Sequence, residues 1–376
     1  MRVALSGWFW NRPDTGSGQY LRQLLVRMAG LQDAPELLLL APPEHLNDQV
    51  ALSGVKALPL LAPPGAWGKV WWEQVVLPNA VQPLKADLLH VPYWAPPFFA
   101  ATPVVATVHD LIPLLLPAYR GGAAVQLYTA IVSRASRRAD LLLTDSEASR
   151  ADIIQHLGLP SVRVQSVPLA AEERYTPKPS ADDERLLDEL GLHPGYVLYL
   201  GGFDVRKNLS AVFGAFAQAL RAMDDALLVI AGKLPEQDTA FAPDPRRLAR
   251  EADLSMSHVQ FTGFVPEKHK PAIYRGARAF LYPSRYEGFG LPPLEALSCG
   301  VPVVASNAAS LPEVVGDGGV LAAPDDVETM GRALHRLLTD EAFYDDLQVR
   351  ALQQAAQFSW DATITETFKS YKRVVT

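Results

Sequence analysis

Short apolar runs recur along this chain, separated by amphipathic and polar stretches. Arg2–Ser6, Leu37–Ala41, Val55–Leu60, Asp87–Val91, Val104–Val108, Leu141–Thr144 and Val162–Val167 have strand length and are rich in Leu and Val. Near-continuous apolar runs of that length predict strands buried on both faces. Between them the period changes. Tyr20, Leu21, Leu24, Leu25 and Met28 fall at helical spacing within Gly18–Gly30, and further helices are predicted over Ala66–Leu77, Ala123–Arg138 and Ser146–Leu157, the last capped by Ser146.

The alternation breaks between about Ala170 and Pro194, where charge and proline accumulate around a short helical piece at Asp183–Leu190. It then resumes. Strands are predicted at Tyr196–Leu200, Leu227–Ala231, Val259–Thr262, Ala279–Tyr282, Val301–Ala305 and Val320–Ala322. Helices are predicted at Leu209–Arg221, Pro293–Leu297 and Val327–Leu338, with two more at the end, Glu341–Gln357 and Trp360–Tyr371. Repeated β–α alternation specifies α/β units with parallel sheets and helices on both faces. Two runs predict two Rossmann-like, doubly wound domains, 1–170 and 171–358, with a last helix in 359–376. A ligand is expected in a cleft between them, outside the carboxyl ends of the strands.

Composition narrows the function classes. Of 376 residues, 49% are hydrophobic and 20% charged, which excludes a disordered chain and a membrane bundle. The apolar runs are too short to span a bilayer, and no cleavable leader is expected at the start. The single cysteine, Cys299, rules out an intrachain disulfide and a cysteine-rich zinc site, and a cytoplasmic setting is expected. Residues 1–170 carry 13 Lys/Arg against 12 Asp/Glu, and the remainder 21 against 29. Neither half is basic enough for a nucleic-acid partner. The near-neutral first half is compatible with a peripheral contact at the inner face of a membrane.

Four segments carry candidate chemistry. Thr15-Gly16-Ser17-Gly18 joins the first strand to the first helix; it reads either as a close approach to an anionic ligand or as a turn with Ser17 as cap. Gly201-Gly202-Phe-Asp-Val-Arg206-Lys207-Asn208 holds the same place in the second half, with a cationic pair suited to phosphate oxygens or, alternatively, a solvated basic turn. His109-Asp110 ends a buried strand, where site residues of α/β sheets gather, although such a pair also serves turns. The other histidines show no metal-binding spacing. The fourth is the most specific: Glu287-Gly288-Phe289-Gly290-Leu291-Pro-Pro-Leu-Glu295, in which a glycine turn places Glu287 in a loop and Glu295 inside a helix. Paired carboxylates also suggest a glycoside hydrolase, but the basic pair and glycine loops favour phosphate binding. Trp67, Trp71 and Trp72 read as core in preference to an acceptor surface, and Arg134, Arg137 and Arg138 as a solvated helix face.

These segments resemble glycosyltransferase family 4, retaining enzymes of the GT-B fold. The likeness rests on Glu287 and Glu295 with seven residues between them, on Pro283-Ser284, on Cys299-Gly-Val-Pro-Val-Val-Ala305, on Tyr196–Asn208 and on Thr262-Gly-Phe-Val265. It implies that His109, Arg206, Lys207 and Glu287 serve catalysis, Glu287 on the donor sugar, His109 on its distal hydroxyl and the cations on the diphosphate. It implies donor binding by Gly16, Ser17, Gly18, Gly202, Gly288, Phe289, Gly290 and Leu291, ribose binding by Glu295, and a nucleobase flanked by Phe264 and Val265. The final helix is expected to return to the first domain. Many relatives place the arginine near Gly202; here Arg206 adjoins Lys207, as in a subgroup linked to mannose transfer. GDP-mannose is therefore the favoured donor and a UDP-sugar the alternative, with a glycan or lipid-linked acceptor. No metal or other cofactor is expected. An inactive nucleotide-sugar-binding protein and a pyridoxal-dependent phosphorylase are the competing readings; the intact motif set opposes the first, and chain length and lysine context oppose the second.

Overall fold

A computed structural model describes residues 1–46, 52–65, 67–221 and 225–376. Ala66, where one helix was expected to begin, lies outside them. The chain divides into two compact units, Met1–Pro168 with Trp360–Thr376, and Leu169–Ser359.

The first unit holds strands β1 (Arg2–Ser6), β2 (Glu36–Ala41), β3 (Val55–Pro59), β4 (Leu88–Val91), β5 (Val104–Thr107), β6 (Leu141–Thr144) and β7 (Val164–Ser166). All pair in parallel, in the order β3-β2-β1-β4-β5-β6-β7. The central strands are buried throughout, which is why their sequences are apolar at every position and not at alternate ones. The chain runs outward from β1 to β3 and then returns to place β4 on the other side of β1. That reversal is a topological switch point, where such sheets bind ligands.

The second unit repeats the plan with β8 (Tyr196–Leu200), β9 (Leu228–Ala231), β10 (Val259–Gly263), β11 (Ala277–Tyr282), β12 (Val303–Ser306) and β13 (Gly319–Ala322). These are again parallel, in the order β10-β9-β8-β11-β12-β13. Its switch point lies between β8 and β11. Tyr196, Tyr199, Phe213, Phe216, Phe280 and Tyr282 fill its core.

Helices connect the strands. Gly16–Ala29 is capped by Thr15, whose side chain accepts from the Gly18 N–H, so the cap is Thr15 and not Ser17. Ser146 caps Glu147–Leu157. The helix expected to end at Leu77 runs from Gly68 to Val81 with a π-helical turn at Trp72–Val76 in its middle. It divides the tryptophan cluster: Trp72 is core and donates to the Leu60 carbonyl, while Trp67 and Trp71 are half-exposed. Short helices at Pro245–Glu251, Lys270–Gly276 and Leu311–Val315 escape the periodicity argument, being too brief to show a face. Among the described residues no helix is long and apolar enough to cross a membrane.

The last helix, Trp360–Val375, belongs to the first unit. Trp360, Ile364 and Tyr371 are buried. Thr363 Oγ1 donates to the Pro168 carbonyl at 2.6 Å, and Arg27 lies over the Trp360 ring.

Candidate active site

In the second unit, the loop after β8 and the loop after β11 meet at the switch point. The first makes a 3₁₀ turn at Val205–Lys207 and reverses at Asn208, whose φ is +56°. The Asn208 side chain makes no helix cap. Its amide donates to the carbonyls of Pro283 and Pro324, and its oxygen accepts from Arg285. Asn208 thus ties the cationic turn to the loop that carries Glu287.

Glu287 is the centre of this site. Its Oε1 accepts from Lys207 Nζ at 2.8 Å, Ser284 Oγ at 2.6 Å and Tyr282 OH at 3.1 Å. Its Oε2 lies 2.7 Å from Arg206 Nη1, which also donates to the Tyr286 carbonyl. Lys207 further donates to Tyr282 OH and sits over that ring. Asp204 lies 3.6 Å from Arg206 Nε. Burial alone would raise the Glu287 carboxyl. The charges of Lys207 and Arg206, with hydrogen bonds from Lys207 and Ser284, outweigh it and bring the pKa down to about 2. The group is therefore a carboxylate at neutral pH, and the two cations are held side by side against it.

Glu295 is in a different environment. It sits in the helix Leu291–Ser298, is buried, and accepts from Tyr274 OH at 2.8 Å. Burial pushes its pKa up to about 7, with Lys270 and the Tyr274 hydrogen bond opposing and Glu267 adding to the rise. Two carboxylates eight positions apart thus titrate far apart, because two cations touch one while burial outweighs the Lys270 charge at the other.

The turn between them is set by Gly290, with φ of +116°, a conformation L side chains rarely adopt, and a Cβ there would lie 3.0 Å from the Leu311 side chain. Ser310 Oγ donates to the Glu287 and Phe289 carbonyls and pins the turn. The helix that follows begins Leu291-Pro292-Pro293, and the prolines carry no N–H. An anion there would meet the backbone N–H groups of Phe289, Gly290 and Leu291 and no deeper ones. Gly288 is buried beside them, and Gly202 is exposed in the loop after β8. Past β10, Phe264 is exposed and Val265 is buried in the core, so Phe264 alone of that pair can offer its side chain to a base.

In the first unit, His109 follows β5 and Asp145 follows β6, with His109 Nδ1 and Asp145 Oδ2 2.7 Å apart. Burial would pull the imidazole down, but the Asp145 carboxylate outweighs it and holds the group above the ordinary histidine range. The His109 ring packs edge-on against Tyr20, with centroids 5.1 Å apart. Gly16 and Ser17 open the helix Gly16–Ala29. Gly18 is buried against the loop before it, and a Cβ there would lie 1.9 Å from the Arg12 carbonyl oxygen.

Sequence patterns pointed to the two glutamates, the cationic pair and His109. They did not point to Tyr282, Tyr274 or Asp145, which orient those groups, and Ser284 entered only through the family likeness. Asp145 carried the same signal as His109, a polar residue at the end of a buried strand. The tyrosines carried none, since their hydroxyls sit on rings that also fill the core. Among the described residues no three His, Cys, Asp or Glu side chains are grouped as a metal site.

Residues 15–171 match the family described as Glycosyltransferase Family 4, and residues 186–356 match Glycosyl transferases group 1. The chain is 32% identical to the O-antigen chain mannosyltransferase B of Escherichia coli, over 96% of both chains. It is 33% identical to the serotype-specific mannosyltransferase WbdA of Escherichia coli, over 72% of this chain and 33% of that one. Among solved structures, the sucrose-phosphate synthase of Thermosynechococcus elongatus superposes with a TM-score of 0.75 at 22% identity, covering 100% of this chain and 99% of that one. HepE of Anabaena in complex with UDP superposes at 0.77 with 19% identity, covering 99% of this chain and 100% of that one. Both likenesses place the two parallel sheets in the GT-B class.

Proposed function

Because this chain belongs to the retaining glycosyltransferases of family 4, we propose that it transfers mannose from GDP-mannose to a hydroxyl of a glycan or lipid-linked acceptor in polysaccharide synthesis. The observation that carries the reading is the Arg206–Lys207–Glu287 cluster at the switch point of the second unit. Two cations held by one buried carboxylate are suited to a diphosphate whose charge grows as the sugar leaves. Glu287, itself fixed by Ser284 and Tyr282, would contact the sugar. Glu295 would accept from the ribose hydroxyls, the turn Phe289–Leu291 would donate to the diphosphate, and Phe264 would face the base. His109, oriented by Asp145, would serve the sugar's distal hydroxyl. Retention then needs no enzymic nucleophile: the acceptor hydroxyl attacks from the face the diphosphate leaves, and the departing phosphate takes its proton. The mannose assignment rests on the likeness to the two mannosyltransferases of Escherichia coli.

The test is a melting-temperature screen with GDP, UDP and ADP, followed by transfer assays with the matching sugars. Stabilisation by GDP above the others is expected, since a ligand that binds the folded state raises its stability by mass action. Selective stabilisation by UDP would replace GDP-mannose with a UDP-sugar. Nucleotide binding without turnover would leave a binding protein.

A further inference from the structure

The first unit contains a second built site that none of the residues above uses. Lys69, Glu73 and Tyr128 meet beneath a pocket of about 310 Å³ walled by Trp67, Val70, Ala124 and Val125. Glu73 is fully buried, in the π-helical turn Trp72–Val76, an irregularity frequent at functional sites. Its Oε2 accepts from Tyr128 OH at 3.0 Å. Its Oε1 forms an ion pair with Lys69 Nζ at 3.4 Å. The Lys69 ammonium lies 5.4 Å from the Phe9 ring centroid, 5.6 Å from Tyr93 and 5.1 Å from Tyr128. Phe9 follows β1 and Tyr93 follows β4. The cage therefore sits at the switch point of the first sheet, outside the carboxyl ends of its strands.

We propose that this pocket is a subsite for a neutral hexopyranose, the sugar end of the acceptor. Trp67, half-exposed at the rim, and Tyr128 supply aromatic faces for the C–H faces of a sugar ring. Lys69, a third exposed, is the polar group a ligand meets. Two of its three N–H donors are directed to Tyr128 and Glu73, and the third serves a sugar hydroxyl. Glu73 behind it cancels the charge, which disfavours a phosphate. An alkyl chain would bury the third Lys69 donor without giving it a partner. Sugar binding stands on this geometry; its assignment to the acceptor rests on the transferase reading.

The experiment is saturation-transfer NMR on the full chain, with methyl α-mannopyranoside and an α-linked mannotriose as probes and 1-octanol and inorganic pyrophosphate as competitors. Trp67→Ala and Lys69→Met, each checked for an unchanged melting temperature, are expected to weaken mannotriose binding at least tenfold. Tyr128→Phe, which removes the donor to Glu73, is expected to weaken it less. Undiminished sugar binding in both of the first two variants overturns the proposal. So does absence of sugar binding to the wild type, or displacement by octanol or pyrophosphate. Transfer from GDP-mannose and UDP-sugars is assayed in parallel. Sugar binding lost in the variants, from a wild type that turns over no donor, keeps the subsite and overturns the transferase reading alone.

Discussion

Tyr371, in the last helix of the chain, and His90, at the centre of the first sheet, share a buried hydrogen bond of 2.6 Å across 281 positions of sequence. The bond is one link of a chain. His90 Nε2 meets Thr107 Oγ1 at 2.9 Å, and Thr107 Oγ1 donates to Tyr20 OH at 3.2 Å. Tyr20 in turn packs edge-on against His109. Burial drives the His90 pKa down to about 3, so the ring stays neutral and offers one donor and one acceptor. Tyr371→Phe would strand one ring nitrogen in the core. A loss of about 1–3 kcal/mol is expected for an orphaned buried polar group, read as a lower melting temperature. Nucleotide affinity, which belongs to the second unit on the proposed reading, should stay unchanged; a matching loss there would show that the relay supports more than its own unit.

The same reasoning separates the members of the Glu287 cluster. Lys207→Ala leaves Arg206 in contact with the carboxylate, so the fold should persist while turnover falls roughly 10²–10³-fold, as when a preorganised charge donor is lost. Glu287→Gln does the reverse: it leaves Arg206 and Lys207 side by side, with only Asp204, 3.6 Å from Arg206, to offset them. Breaking a buried pair in this way costs about 3–5 kcal/mol. Comparing kcat and unfolding free energy for both variants checks this. Equal destabilisation by the two would contradict the assignment of Glu287 as the group that holds the cations.

Glu295 predicts a pH dependence. Its pKa is about 7 in the folded protein against an ordinary 4.5. Between these values the folded state holds a proton that the unfolded state has lost. Its contribution to stability is therefore greatest below about 4.5 and declines as pH rises to 7. Binding runs the other way. On the proposed reading the ribose hydroxyls donate to the carboxylate, so donor affinity should rise as pH climbs through 7, with a limiting slope of about one proton per molecule. Calorimetric titration with the nucleotide across that range measures the slope, and Glu295→Gln should flatten it. A slope that survives the substitution would assign the proton to another group.

How far the sequence alone carried this picture can be read from particular residues. Strands such as Tyr196–Leu200 and Leu141–Thr144 were legible because burial on both faces leaves no polar position to blur the run. Lys207 and His109 were legible because they follow strand ends, and Glu287 and Glu295 because a glycine turn sets one in a loop and the other in a helix. The cap at Thr15 was misread because Ser17 is an equally good cap by type, and only the backbone decides between them. The π turn at Trp72–Val76 was invisible, since one extra residue per turn shifts which side of the helix faces inward without altering its composition. Trp72 and Glu73, at its start, are buried, while Trp71, just before it, is exposed. The oriented states of Glu287 and Glu295 were equally out of reach, because they depend on Lys207, Arg206 and Tyr274, which the tertiary fold brings in from distant positions.

Gly18 offers a last test, of packing against ligand approach. Its position at the start of the first helix invites the reading that a side chain is absent to admit a ligand. The space is already taken by protein: a Cβ would lie 1.9 Å from the Arg12 carbonyl oxygen and 3.0 Å from that of Phe9. Those carbonyls belong to the loop that also supplies the Phe9 ring to the Lys69 cage. Gly18→Ala must therefore push the loop away from the helix, and a destabilisation of about 1–3 kcal/mol is expected for such overpacking. Gly16 has nothing within 4 Å of its Cβ position, so Gly16→Ala should leave stability nearly unchanged. Thermal unfolding of the two variants side by side gives the comparison. If Gly16→Ala alone weakened donor binding while Gly18→Ala alone lowered stability, the two glycines of one short motif would have separate duties, one toward the ligand and one toward the fold. Loss of donor binding with unchanged stability in Gly18→Ala would instead restore the ligand reading for Gly18.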